Sequence, residues 1–79
     1  MSQHYFYKEK NLTSIILLKT EKVVELIAAR EGIDFESALE KFLDSKTYES
    51  LCNPDTLLWS ESSPFILDDY LRELSVSGR

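Results

Sequence analysis

The sequence predicts an all-α fold, a compact bundle of three to four helices with a long first helix and short connections. One observation is an apolar pattern spaced i, i+3, i+4, i+7 and i+8, formed by Phe35, Ala38, Leu39, Phe42 and Leu43. Another is a helix–helix junction: Gly32 suits the left-handed residue that ends a helix, and Asp34 suits the N-cap of the next one. Glycine and proline are also scarce, with two of each in 79 residues, which fits helices joined by short loops.

The first part of the chain is expected to be an arm followed by a long helix. Residues 1–11 mix polar and aromatic side chains, so we expect an aromatic N-terminal arm, either irregular or a short strand. The first helix then begins near Asn11 or Thr13, either of which can cap it, and runs to Arg30 or Glu31. Its inward stripe is expected to be Leu17, Thr20, Val24, Ile27 and Ala28, widened by Ile16 and Val23.

Four successive apolar residues, 15–18, do not fit a single inward stripe. At about 100° per residue they sweep roughly 300° around a helix, so one packed surface cannot bury them all. Ile15 or Leu18 is therefore expected to lie under another segment, such as the aromatic arm, or at a subunit contact. Cover from within the chain is the simpler expectation.

The middle of the chain is expected to form short helical elements. A second helix covers about 35–44, and a third, capped by Thr47, begins at Tyr48 and places three side chains inward: Tyr48, Leu51 and Cys52. Residues 53–55 form a turn, because the residue before a proline is disfavoured in the helical region. Residues 56–59 are expected to form a helical turn that buries Leu57 or Leu58 together with Trp59.

A final helix is well marked at its start. Ser63 is the expected cap, and Pro64 occupies the first helical position, where its missing N–H is not needed. The apolar face of this helix is expected to be Phe65, Ile66, Leu67, Tyr70, Leu71 and Leu74. Residues 75–79 should fray, which leaves residues 12–74 as a single helical domain.

Charge is distributed unevenly along the chain. The net charge is −5: residues 1–30 carry five basic and three acidic groups (+2), and residues 31–79 carry four basic and eleven acidic groups (−7). An acidic second half repels phosphate backbones, so no nucleic-acid partner is expected. A basic protein partner would suit it, although an ordinary solvated surface explains the same charge. With one cysteine and no apolar run of membrane length, the sequence predicts a cytoplasmic protein.

Most enzyme chemistries lack the residues they need. His4 is the sole imidazole and Cys52 the sole thiol, so neither a metal shell nor a disulfide within the chain is expected. No glycine-rich phosphate loop is present. Asp68 and Asp69 are adjacent and point about 100° apart on a helix, so they do not form an acid–base pair. The sequence therefore predicts no catalytic residues, no cofactor and no metal, and a protein that is not an enzyme.

The candidate partner surface combines carboxylates and aromatic side chains. Along the second helix an acidic ridge recurs at i, i+4 and i+8: Glu36, Glu40 and Asp44. Partly exposed aromatic residues commonly anchor interfaces, and the candidates here are Trp59, Tyr5 and Tyr7. The expected function is therefore a non-enzymatic protein-interaction module.

Two other functions stay open at this point. The junction around Gly32 imitates a DNA-binding helix-turn-helix, so a small transcriptional regulator is one alternative. Its second helix, however, would offer Glu36, Ser37 and Glu40 to the DNA groove. The other alternative is a homo-oligomeric structural protein with Ile15 or Leu18 in the contact.

The second half of the chain also resembles a known group of proteins. The pattern consists of Ser45-Lys46-Thr47-Tyr48, then Leu51, Thr56, Leu58-Trp59, Ser63, Phe65-Ile66, Asp68, Tyr70 and Glu73. It is similar to a family of short helical bacterial proteins of unknown function, common in gut Firmicutes, and the likeness extends over residues 17–74. Some members are similar to proteins encoded beside ADP-ribosyltransferase-like toxins. The resemblance implies an antitoxin or accessory role and supplies no catalytic residues.

Overall fold

A computed structural model describes the backbone of residues 2–77 and the side chains of residues 12–76. The four helices are α1 (Ser2–Glu31), α2 (Phe35–Leu43), α3 (Lys46–Cys52) and α4 (Ser63–Ser77). Two short 3-10 turns, Pro54–Thr56 and Leu58–Ser60, connect α3 to α4. Helix α1 packs against α2 and α4, and α3 packs against α2 and α4. The predicted all-α bundle with a long first helix is confirmed.

Helix α1 starts earlier than expected. The prediction of an irregular arm or short strand over residues 1–11 is wrong for residues 2–11, which belong to α1. The physical reason is that no glycine or proline interrupts residues 2–31, so each further residue extends the helix by one hydrogen bond. At the other end of the chain α4 continues to Ser77, three residues past Leu74, and residues 78–79 lie outside the described part.

The junction between α1 and α2 forms as the sequence predicts. Gly32 has a positive φ of 66°, which a glycine adopts without steric cost. The Ile33 N–H donates to the Ala28 carbonyl at 3.1 Å and closes the end of α1. The Asp34 carboxylate accepts the Ser37 N–H at 3.1 Å, and the hydrogen bonds from Ser37 hold the pKa of Asp34 below its ordinary value. The cap assigned to Asp34 is confirmed.

Two helix starts are shifted from their predicted positions. Helix α3 begins at Lys46 with Ser45 as its cap, because the Ser45 hydroxyl accepts the Tyr48 N–H at 3.1 Å and donates to the Phe42 carbonyl at 2.6 Å. One serine thus joins the end of α2 to the start of α3, and Thr47 is not the cap. At α4 the hydroxyl of Ser62, one residue before the expected cap, accepts the Phe65 N–H at 3.3 Å.

The core is one cluster drawn from every α-helix and the second 3-10 turn. Phe42 stands at its centre, with its ring edge-to-face against Tyr48 and Tyr70 at centroid distances of 5.6 and 5.7 Å. The buried apolar residues are Val23, Val24, Ile27, Ala38, Phe42, Leu51, Leu58, Ile66 and Tyr70. These side chains fix how α2 lies against α1 and α4.

Several residues predicted to face inward are exposed instead, namely Leu17, Cys52, Phe65 and Leu74. Cys52 follows the buried Leu51 by one residue, which turns it about 100° away from the core of so short a helix. Leu17 and Leu18 are 63% and 65% exposed, so Leu18 is not covered within the described residues. Ile15 is half-buried, and Ile16 packs against the core.

Leu57, between the two 3-10 turns, is held in the left-handed region with φ 60° and ψ 12°. This conformation costs a residue with a Cβ roughly 1–2 kcal/mol, and the 57% exposed side chain recovers little of that cost by burial. Asparagine tolerates the left-handed region better. We therefore expect Leu57→Asn to raise the free energy of unfolding by about 0.5–1 kcal/mol in urea denaturation.

The control for this prediction is Leu57→Ala, which removes the same apolar side chain but keeps the steric penalty of a Cβ at positive φ. Leu57→Ala should therefore show no gain in the denaturation midpoint. An equal gain for both variants would mean that the left-handed backbone is not the source of the effect.

Candidate functional site

One edge of the core-facing side of α2 carries a partly exposed apolar strip, which we define as Phe35, Leu39 and Leu43. Phe35 and Leu43 are 43% and 44% exposed, and Leu39 is half-buried against the edge of the core. They recur every four residues, so they follow one line along the helix. Ala38 and Phe42 are fully buried on the neighbouring side of α2, so the strip is the edge of the core-facing side that is left in solvent.

The acidic ridge of Glu36, Glu40 and Asp44 runs directly beside this strip. Each ridge residue follows a strip residue by one position, or about 100° around the helix, and all three are exposed. Glu36 and Glu40 lie within α2, and Asp44 is its C-terminal cap. The strip and the ridge together are called the α2 face below.

The ridge keeps its negative charge because the nearest basic residue of the helix is engaged elsewhere. Lys41 follows Glu40 in sequence, and its Nζ lies 3.4 Å from the Glu31 carboxylate of α1. Like charges at i, i+4 cost a few tenths of a kcal/mol per pair, roughly 0.2–0.5. Three exposed carboxylates in a row also attract cationic groups over about one Debye length, roughly 8 Å at physiological ionic strength.

Trp59 lies on a different element from the ridge, the 3-10 turn Leu58–Ser60. Its indole Nε1–H donates to the Pro54 carbonyl at 3.0 Å, and its ring packs against the edge of the core. The polar end of the indole is therefore used to hold the segment between α3 and α4. The structure does not place Trp59 on the same helix face as the ridge carboxylates.

Tyr5 and Tyr7, the other aromatic candidates, lie in the first turns of α1, and their side chains are outside the described residues. The same holds for His4. Their predicted role in a binding surface stays a prediction.

Glu73 of α4 ties two helices together. The Glu73 carboxylate of α4 accepts the backbone N–H groups of Lys46 and Thr47 at 2.9 and 3.0 Å and the Thr47 hydroxyl at 2.8 Å. Burial alone would raise the pKa of the Glu73 carboxyl. The hydrogen bonds and the positive charge of Lys46 outweigh that effect, so the pKa lies below its ordinary value. The donors lie 26 and 27 residues away in sequence, so no local pattern could have revealed this contact.

Cys52 and Tyr48 form a second unpredicted contact, on the exposed side of α3. A hydrogen bond with the Cys52 thiol, together with burial, raises the pKa of the Tyr48 hydroxyl. Cys52 was expected to face inward and is instead exposed.

Within residues 12–76, no group of three or more His, Cys, Asp and Glu side chains is placed to hold a metal ion. Over the same described residues, no helix has the length and apolar content to cross a membrane. The surface depression beside α1, lined by Leu18, Lys22 and Glu25 among others, is shallow and open to solvent.

Comparison with models of known protein families, with curated proteins and with solved structures finds no match for this chain. The chain is thus described by its structure alone, as a small, compact, all-helical protein that carries the α2 face.

Proposed function

We propose that this protein is a non-enzymatic interaction module that docks a basic, amphipathic helical segment of another protein on its α2 face. The observation that carries the proposal is the exposed apolar strip of Phe35, Leu39 and Leu43 lying next to three unneutralised carboxylates. Contiguous exposed apolar surface with a polar rim is a common mark of a protein-binding site.

The two halves of the α2 face would contribute differently to binding. The strip supplies affinity, because removing apolar surface from water contributes about 25 cal/mol per Å². The ridge supplies orientation and a faster encounter with a basic partner. A helix with apolar residues every three or four positions, flanked on one side by Lys or Arg, matches both halves at once.

The cellular role that we propose rests on the sequence resemblance described above. An antitoxin, or an accessory protein of an enzyme encoded nearby, acts by binding another protein and needs no catalytic residues of its own. The product of the neighbouring gene is therefore the first partner to test.

The test is capture of that neighbouring gene product from a native lysate by the immobilised chain. We expect Glu36→Lys/Glu40→Lys to reduce capture at least tenfold, because it replaces attraction by repulsion along the ridge while leaving the core intact. The double substitution changes the net charge from −5 to −1, since each Glu→Lys adds two charges.

A matched control is Glu49→Lys/Glu61→Lys, which makes the same change in net charge at two exposed positions outside the α2 face. Its capture should equal that of the original chain. If both variants lose capture equally, the change in net charge explains the loss, and the position of the carboxylates does not. Unchanged capture by the ridge variant would remove the ridge from the proposal.

A second candidate function is favoured by one observation, the tight corner between α1 and α2 at Gly32. A small transcriptional regulator would insert α2 into a DNA groove, yet the α2 face would bring three carboxylates to the phosphates, and Lys41 is paired with Glu31. A mobility-shift assay on the DNA upstream of the gene, at low salt, decides the matter. A specific shift there would favour the regulator, and the interaction module predicts none.

A further inference from the structure

The α2 face is too small to form a stable protein–protein contact by itself. Its strip and its ridge contribute three residues each, on or at the end of a helix of nine residues. A stable and specific interface usually takes about 20–30 residues and roughly 800 Å² from each partner. A partner that docks on the α2 face therefore needs further contacts elsewhere on this chain.

Leu57 differs from the other exposed large apolar residues of the described chain. It is 57% exposed, and it has a positive φ of 60°. The others lie in helices α1, α2 and α4, where exposure requires no unusual backbone conformation. Among the non-glycine residues that the structure describes, Leu57 alone has a positive φ. Residues held in sparsely populated backbone regions cluster at functional sites.

Hydrogen bonds on both sides of Leu57 hold its loop in this shape. The Leu57 N–H donates to the Pro54 carbonyl at 3.2 Å, and the Trp59 indole N–H donates to the same carbonyl at 3.0 Å. The Ser60 hydroxyl donates to the Leu57 carbonyl at 2.6 Å. Leu58, the next residue, is only 6% exposed and ties the loop to the core. The loop thus presents the Leu57 side chain to solvent in a fixed position, which reduces the entropy lost on binding.

We infer that Leu57 is a second anchor of the same interface: its side chain inserts into an apolar pocket on the body of the protein whose basic helix docks on the α2 face. The inference rests on the proposed function and extends the contact to the loop of residues 54–60. One partner can reach both places, because the molecule measures 24 by 18 Å in its two shorter dimensions and α2 and the loop pack around the same core.

The charge near Leu57 agrees with a basic partner. Asp55, two residues earlier, is exposed and forms no ion pair with any residue that the structure describes. At the other end of the loop, Lys19 of α1 brings a positive charge to the Glu61 carbonyl, to which its ammonium donates. The carboxylate beside Leu57 that is left for a partner is therefore Asp55, so we expect a Lys or Arg at the rim of the partner's pocket.

The test measures binding and stability on the same variants. The Kd for the purified product of the neighbouring gene is obtained by isothermal titration calorimetry, and the unfolding midpoint by urea denaturation. Leu57→Asn should raise the Kd about tenfold because the apolar anchor is lost, yet raise the midpoint because asparagine tolerates a positive φ. Leu57→Ala should raise the Kd similarly with no gain in the midpoint. Weaker binding by a more stable chain is not a loss of folding.

Leu17→Asn is the matched control, since it removes the same side chain from a 63% exposed position on α1. Its Kd should equal that of the original chain. Equal losses of affinity in Leu17→Asn and Leu57→Asn would overturn the inference, because any exposed leucine would then serve. A lower midpoint in Leu57→Asn would also overturn it, because leucine would then be the residue that this backbone prefers.

Comparison with the ridge variant separates this anchor from the α2 face. If Glu36→Lys/Glu40→Lys weakens binding and Leu57→Asn does not, the anchor is overturned and the proposed function stands. If Leu57→Asn weakens binding and the ridge variant does not, the anchor is supported and the ridge is removed from the proposal. If the original chain does not bind the neighbouring gene product, both are overturned.

Discussion

Replacing Phe42 by alanine is expected to lower the free energy of unfolding by about 3–5 kcal/mol, the typical cost of removing a large aromatic side chain from a core. Phe42 is fully buried, and its ring makes edge-to-face contacts with Tyr48 and Tyr70 that link α2 to α3 and α4. A domain of 79 residues has a total stability on the order of 5–10 kcal/mol, so this one substitution should leave much of the population unfolded.

The measurement is urea or thermal denaturation followed by far-ultraviolet circular dichroism. Leu43→Ala is the matched control, because Leu43 is the next residue on the same helix and is 44% exposed. Its cost should stay below about 1 kcal/mol. Similar costs for the two variants would mean that the direction in which α2 packs has been assigned wrongly.

Glu73→Gln is expected to destabilise the protein by about 1–2 kcal/mol, because hydrogen bonds to a charged acceptor contribute more than those to a neutral amide. The carboxylate accepts three hydrogen bonds from Lys46 and Thr47 at the start of α3. Glutamine keeps the shape and one carbonyl oxygen but loses the charge. Glu40→Gln, at an exposed position on α2, is the matched control and should change the stability by less than about 0.5 kcal/mol.

The same contact predicts how stability varies with pH. The folded pKa of Glu73 lies below its ordinary value of 4.5, so the unfolded chain binds a proton at this site more readily than the folded one. The stabilisation is therefore fully present above pH 4.5 and is lost as the pH falls through the folded pKa. The stability difference between the original protein and Glu73→Gln should shrink below pH 4.5, and a difference that stayed constant down to pH 2 would contradict the assignment.

The α1–α2 junction shows what the sequence alone can predict. Gly32 and Asp34 act within their own helix ends, through a positive φ and a hydrogen bond three residues away. The periodicity of α2 is likewise local, so its apolar and acidic sides could be anticipated. Such features depend on neighbours a few residues distant, which are visible in a single sequence.

Two of the features that escaped prediction depend on the packing of other parts of the chain. Thr47 looked like a helix cap, but its N–H and hydroxyl are taken by Glu73 of α4, and Ser45 caps α3 instead. Leu17 looked inward because its helical position matches the stripe. It is exposed although Ile16 beside it packs against the core and Thr20 is buried, so the packed side of α1 is turned away from Leu17 at this level.

The sequence predicts one of the two parts of the candidate site. The ridge of Glu36, Glu40 and Asp44 follows from spacing alone. The apolar strip beside it does not, because Phe35 and Leu43 match the inward pattern as well as Phe42 does. Only the packing of Ala38 and Phe42 against the core shows which edge of that pattern is left in solvent.

The most direct test of the α2 face as a docking surface is a nuclear magnetic resonance titration of the isotope-labelled chain with the captured neighbouring gene product. The proposal predicts that the amide signals of residues 35–44 shift or broaden, and that Glu36→Lys/Glu40→Lys abolishes the change. Changes confined to residues 54–60 and α4, with residues 35–44 unaffected, would contradict it.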